Sequence, residues 1–211
     1  MTRHLAAALG AMALVVGIAG CATPDKPVRA TLYDFGPGAT VLAAARQPAQ
    51  PTLVLADIDA SGALDGSAVL YRLAYADPNQ LRPYAHARWS APPPQLIRQR
   101  LRQQLARERA VLDLGESAAL ARNGGVAPRV LRIDLEEFSQ LFESQEQSWG
   151  LLRLRATVMD STPAGERLLA QRSFVARQPA HTPDAPGGVR ALAAATDAAA
   201  EEIGQWLAQL R

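Results

Sequence analysis

The chain has 211 residues, 48% of them hydrophobic, 5% aromatic and 20% charged. That apolar share excludes global disorder, and the length fits one domain or a small pair with a sizeable core. Lys and Arg number 22 against 20 Asp and Glu, a net charge of +2 that excludes the broad basic field of a nucleic-acid binder, and the one cysteine excludes a disulfide framework.

The chain opens with Arg3 and the apolar stretch Leu5 to Gly17, then Ile18-Ala19-Gly20-Cys21. A basic start, a short apolar core and small residues before a cut are the parts of a secretory signal, here 1–20. A transmembrane helix needs about 20 apolar residues, and Thr23, Pro24, Asp25, Lys26 and Pro27 follow at once. Set directly before Cys21, the small residues resemble the lipobox of bacterial lipoproteins. The resemblance implies diacylglycerol on the Cys21 thiol, cleavage before it and an acyl chain such as palmitate on the new amino group. Each buried methylene contributes about 0.8 kcal/mol, so several acyl chains hold a protein to a bilayer. Residues 21–30 read as a tether and 31–211 as a single domain.

Thr31 to Phe35 is strand-like and Gly36-Pro37-Gly38 stops it; 39–51 reads as a loose connection. Thr52 to Ile58 is an apolar run suited to a buried strand, and Asp59 to Gly66 carries turn chemistry. Ala68 to Tyr75 alternates, with Val69, Tyr71, Leu73 and Tyr75 on one face. A hairpin over 52–75 is therefore expected. Leu81 to Trp89 is extended. Pro92-Pro93-Pro94 bars a helix interior before it but suits a first turn. Gln95 to Arg109 spaces Ile97, Leu101 and Leu105 as an amphipathic helix, whose basic face (Arg98, Arg102, Arg109) is expected to be solvated. Val111 to Leu114 is a short strand and Ser117 to Arg122 a helical turn or two before Gly124-Gly125.

Val130 to Phe142 places Leu131, Ile133 and Leu135 on one face, with a phase slip at Phe138 of the kind a bulge causes. Gly150 to Met159 turns Leu152, Leu154, Ala156 and Val158 inward; 162–166 is a turn and Arg167 to Arg177 returns, an antiparallel meander. Val189, Leu192, Thr196, Ala199, Ile203, Trp206 and Leu210 define a closing helix of about 30 Å at 1.5 Å per residue, opened by Pro186-Gly187-Gly188. The pattern predicts an α/β fold bordering on α+β, with a mixed, largely antiparallel sheet covered by helices.

Catalysis needs a nucleophile, a tuned base or a metal. His86 and His181 sit in separate loop-like segments without ligand spacing. Neither a Gly-x-Ser-x-Gly elbow nor a phosphate-cradling loop is present, and Gly36-Pro37-Gly38 lacks the third glycine of a nucleotide fingerprint. Glu136 and Glu137 are expected on opposite strand faces, which rules out a carboxylate pair. Asp57, Asp59, Ser61, Gly62 and Asp65 begin like a calcium loop, but Ala68 stands where the twelfth-position glutamate belongs. No catalytic residue, metal or cofactor is expected.

From Leu53 to Leu101 the sequence is distinctive: a strand, Leu64-Asp65-Gly66, Tyr71-Arg72, Tyr84, Arg88-Trp89, then Pro92-Pro93 opening a helix. With Tyr33-Asp34-Phe35-Gly36-Pro37 before it and an amphipathic helix at the end, it resembles the PqiC/YmbA-like auxiliary lipoprotein family of ABC-type transporters over roughly 31–209. The resemblance implies an anticodon-binding-domain-like fold and a non-enzymatic accessory. Its expected partners are an MCE-domain protein and an ABC permease that move lipid between the two membranes of Gram-negative bacteria. Ala22, after the lipidated cysteine, implies the outer membrane, periplasmic face, and a homo-oligomer fits this reading. Tyr71, Arg72, Tyr84, Arg88 and Trp89 are residue types favoured at interface hot spots. Equally, Tyr71 and Trp89 suit a core, and the arginines suit capping carbonyls or pairing with Asp57 or Asp59. The alternative functions are a carrier with an apolar cavity between sheet and helices, and an envelope hydrolase, which lacks a nucleophile–base set.

Overall fold

The computed structural model describes residues 29–38, 50–122, 127–162 and 165–210. The expected signal, Cys21, most of the tether, Gly124-Gly125 and most of the 39–51 connection lie outside the described residues. In chain order the elements are β1 (Thr31–Tyr33), β2 (Leu53–Ala60), β3 (Ala68–Leu73), β4 (Asp77–Trp89), α1 (Pro93–Leu105), β5 (Val111–Leu112), α2 (Leu114–Arg122), β6 (Arg129–Phe142), β7 (Ser148–Thr162), β8 (Gly165–Pro179) and α3 (Ala185–Gln209).

One mixed sheet of eight strands is organised around β6. Along one edge β6 pairs antiparallel with β7, from Val130↔Met159 to Phe142↔Ser148, and β8 continues the meander on β7. The other edge of β6 is shared end to end. β2 pairs parallel from Leu53↔Arg129 to Ala60↔Leu135, and β3 pairs parallel from Tyr71↔Gln140 to Leu73↔Phe142. The expected hairpin over 52–75 is therefore not formed. The chain keeps its direction, and the residues between β2 and β3 are thrown out as a loop tightened by Leu64 N–H and Asp65 N–H bonds to the Ser61 carbonyl. Alternation alone does not tell a parallel neighbour from an antiparallel one. The first four residues of β2, buried on both faces, carry the parallel signature. β4 pairs antiparallel with β3, while β1 and β5 add short parallel edges to β4 and β2.

Helices α1 and α3 pack on each other over one face of this sheet. Trp89, Ile97, Leu101, Phe138, Leu192 and Ile203 are all essentially inaccessible between the layers. Phe35, Trp89 and Phe138 form a ring cluster with centroids 5.5–6.0 Å apart, and Phe174 meets Trp206 edge-on at 5.6 Å. α1 begins on prolines and ends at Leu105, so Arg109 lies beyond the helix; it is 6% exposed and not on a solvated helix face. α2 begins before Ser117 because Asp113 and Glu116 form a reciprocal cap: Glu116 N–H donates to Asp113 Oδ1 and Asp113 N–H to Glu116 Oε2, both at 2.8 Å. Asp184 caps α3 by accepting from Gly187 N–H at 2.8 Å.

Candidate functional site

Five register shifts interrupt the sheet's pairing among the described residues, and arginine side chains sit at several of them. In β4, residues 84–87 stand opposite Val69 alone, and Arg88 Nη1 donates back to the carbonyls of Tyr84 (2.6 Å) and Ala87 (2.8 Å). In β2 the register slips between Leu55 and Ile58. Arg98, reaching over from α1, donates to the carbonyls of Leu55 and Ala56 at 3.1 Å and pairs with Asp57 at 3.3 Å. In β6 the slip falls between Leu135 and Glu137, two residues before Phe138 where the phase change shows in sequence. An extra residue frees backbone groups and re-aims its neighbours; the guanidinium fork supplies donors at the spacing those groups need.

The β6 bulge also corrects the expectation for Glu136 and Glu137. Both reach arginines on the sheet face away from α3. Glu136 pairs with Arg153 at 3.1 Å and Arg155 at 3.7 Å, whereas Glu137 receives both forks of Arg72, Nε at 3.1 Å and Nη2 at 3.0 Å. Ser139 Oγ donates a third bond to Glu137 at 2.6 Å, and Arg72 Nη1 also donates to the Pro78 and Asn79 carbonyls. Each carboxylate is thus held by arginine, Glu136 by Arg153 and Arg155 and Glu137 by Arg72.

Tyr71 and Tyr84 meet on the helix-covered face, ring centroids 4.6 Å apart, with Phe142 at 6.0 Å from Tyr71. Tyr84 Oη donates to Gln140 Oε1 at 2.8 Å, and Gln140 Nε2 donates to Ser148 Oγ at 2.8 Å. Burial pushes the Tyr84 hydroxyl well above the ordinary tyrosine value, with smaller contributions from Tyr71 and Asp184. Tyr84 is thus a donor throughout the physiological range. Gln140 and Ser148 escape a reading that counts apolar residues. The signal is a glutamine in phase with Phe138 and Phe142 on a strand's core side.

Among the five residues picked out from sequence, Tyr71 and Tyr84 come together, Arg88 braces the Tyr84 bulge, Arg72 lies on the opposite face, and Trp89 is 1% exposed in the core. His86 is exposed inside β4, not in a loop, and His181 is exposed in the bend before α3. Asp57 lies inside β2 on Arg98 and the Ser61 carbonyl takes turn hydrogen bonds, so the calcium-like stretch is a strand end and a turn.

These features define an α/β domain with a mixed sheet, one helix-covered face, and a charged network spent on holding its own strands. The chain belongs to the family described as the ABC-type transport auxiliary lipoprotein component, whose family model matches residues 33–204. In fold it is similar to protein XCC0632 from Xanthomonas campestris, at 19% identity and a TM-score of 0.66, covering 83% of this chain and 94% of that one. A second solved structure, of an uncharacterized protein, is similar at 13% identity and a TM-score of 0.58, covering 85% of this chain and 99% of that one. Among curated protein sequences none matches the chain.

Proposed function

We propose that this auxiliary lipoprotein is made with a signal, 1–20, and anchored through acylated Cys21 to the periplasmic face of the outer membrane. The tether 21–30 carries the domain 31–211. It serves as a non-enzymatic docking accessory of an MCE/ABC-type intermembrane lipid-transport system, alone or as a homo-oligomer. The observation that supports docking over lipid carriage is the filled interior. Between sheet and helices, where an acyl chain would have to sit, Trp89, Ile97, Leu101, Phe138, Phe174, Leu192 and Ile203 are all at or below 1% exposure. On this reading the MCE-domain protein or permease meets the β3–β4 end of the sheet, where Tyr71, Tyr84 and Arg88 are half-buried, Arg72 is half-buried on the opposite face, and Trp89 lies in the core.

The test is crosslinking of the chain in its native envelope, affinity capture and intact-mass measurement. Expected are recovery of MCE or permease subunits and a mass lacking 1–20 and carrying acyl groups. Arg88→Ala should weaken the capture, and Cys21→Ser should release the protein from membranes. Recovery of no transporter subunit overturns the partnership. An unacylated mass retaining 1–20 overturns the anchor. Lipid co-purifying in a one-to-one ratio replaces docking with carriage.

A further inference from the structure

Strands β1 and β5 end the sheet with three and two residues, lengths that leave little backbone for another chain to pair with. β8 ends it with 15, and among the described residues only β7 pairs with it. One bond shows which backbone groups β8 turns outward. Ala180 N–H donates to the Ser148 carbonyl at 2.9 Å, so the even-numbered residues from Ala170 to Gln178 bond inward to β7. Gln171, Ser173, Val175 and Arg177 therefore point N–H and C=O away from the sheet. Val158 pairs with Ala170 and Met159 with Leu168, so Leu169 is the extra residue of a bulge, and beyond it the outward positions are Leu168 and Glu166. Charge commonly protects such an edge. Here the three arginines of β8 turn back on their own chain, Arg167 to Asp160 at 3.3 Å, and Arg172 to Glu202 and Arg177 to Glu143, both at 2.5 Å. Leu168 and Val175 stand 57% and 60% accessible on the same strand.

These positions fit a second copy of the chain. Two β8 edges related by a two-fold axis normal to the sheet run antiparallel, and outward residues face outward residues. With the axis at Arg172, Gln171 faces the second copy's Ser173, Leu168 faces its Val175 and Glu166 faces its Arg177, and each contact occurs twice. The last one joins the Arg132–Glu166 pair of one copy (2.8 Å) to the Arg177–Glu143 pair of the other in a row of alternating sign. Moving the axis by one residue spoils both matches. At Gln171, Leu168 faces Ser173 and Glu166 faces Val175; at Ser173, Leu168 faces Arg177. Arg172 meets its own copy on the axis, a contact that costs stability between bare like charges. Glu202 neutralises each guanidinium, which also lies over the Phe174 ring at 4.9 Å. We propose that β8 is a homodimer interface, through which two chains join their sheets edge to edge across Arg172 in this one register. It gives the homo-oligomer a definite contact surface and does not rest on the transporter partnership.

The test uses the full chain purified in detergent, free of transporter subunits. Sedimentation should show a dimer. Val175→Lys, at an exposed position, should weaken it about tenfold and leave the far-ultraviolet circular dichroism unchanged. Register is read by mild oxidation. Arg172→Cys places a thiol on the axis at a closely spaced pair and should form a disulfide between copies. Leu168→Cys alone should not crosslink, whereas Leu168→Cys mixed with Val175→Cys should. Peptide mapping locates the bond and separates it from any made by Cys21. Should Arg172→Cys fail to fold for want of its Glu202 pair, the mixture of the two exposed positions decides. A chain that stays monomeric at its solubility limit, leaving this edge to a strand of another protein, overturns the proposal. So does a dimer indifferent to Val175→Lys, or a Leu168→Cys chain that crosslinks as readily alone as in the mixture.

Discussion

Arg72 and Glu137 show what a single arginine does in this sheet. The Glu137 side chain is 9% exposed and that of Arg72 20%, so neither is fully solvated and each depends on the other. Removing one partner strands a charge in a poorly solvated place. Arg72→Met is therefore expected to cost about 3–5 kcal/mol in urea unfolding. The double change to Met at both positions should recover much of that loss, because no charge is left to desolvate. Strictly additive losses would mean the pair is solvent-screened and its buried geometry unimportant. The residue types at 72 and 88 were legible from sequence, but whether they dock a partner or brace the fold was not. Glu137 lies 65 positions from Arg72, and its orientation depends on a bulge whose place alternation marks only approximately. Asp184 gives a second expectation. The Thr182 hydroxyl, the Gly187 N–H and, more weakly, Arg190 hold its carboxyl below the ordinary range. A depressed folded pKa contributes stability above the unfolded value, near pH 3.9, and loses it as pH falls through the folded value. Asp184→Ala should cost about 1 kcal/mol at neutral pH. Asp184→Asn caps without titrating, so the Tm difference between it and the unaltered chain should shrink as pH drops below about 4.

At the scale of elements, α3 was the most legible and its seat on the sheet the least. Its apolar spacing announces a helix, and Pro186 marks the first turn, yet nothing in that spacing says which strand residues it touches. The contact falls on Gly150 of β7. A Cβ added there would lie 2.5 Å from the Leu192 backbone nitrogen and closer still to the Ala191 carbonyl carbon, where only backbone stands to yield. Gly150→Ala is therefore expected to lift the middle of α3 from the sheet and cost at least about 3 kcal/mol, the upper end of overpacking penalties. The change in near-ultraviolet circular dichroism from Trp206, which packs on Phe174 beneath the same helix, should accompany it. Unchanged stability would mean α3 rides free of β7. The strands were legible as strands, while their partners were not. The 52–75 hairpin fails because turn residues at 59–66 mark a departure from the strand line without fixing whether the chain reverses or resumes.

Taken whole, the molecule is two short-strand groups joined through one long strand. β2 with β5 occupies the first half of the β6 edge, and β3 with β4 and β1 the second half. β6 is paired on both sides along most of its length, and β7, itself held between β6 and β8, is continuous behind it. Opening β6 therefore requires breaking both groups, whereas the β3–β4–β1 group can part from β6 by losing the three pairings at Tyr71, Arg72 and Leu73. Local openings of this kind set amide exchange below the global limit. Amides of β6 between Val130 and Leu135 should exchange only with global unfolding, with protection matching the urea free energy. Those of β1, whose three residues form an exposed edge with Leu32 67% accessible, should be protected roughly a hundredfold less or more weakly still. Arg72→Met removes a tie between β3 and β6 that β2 does not share. It should lower protection in β3 and β4 beyond its effect on β2, separating the two halves in native-state exchange. Equal loss across both halves would show that β6 transmits the disturbance along its whole length and that the sheet opens as one cooperative unit.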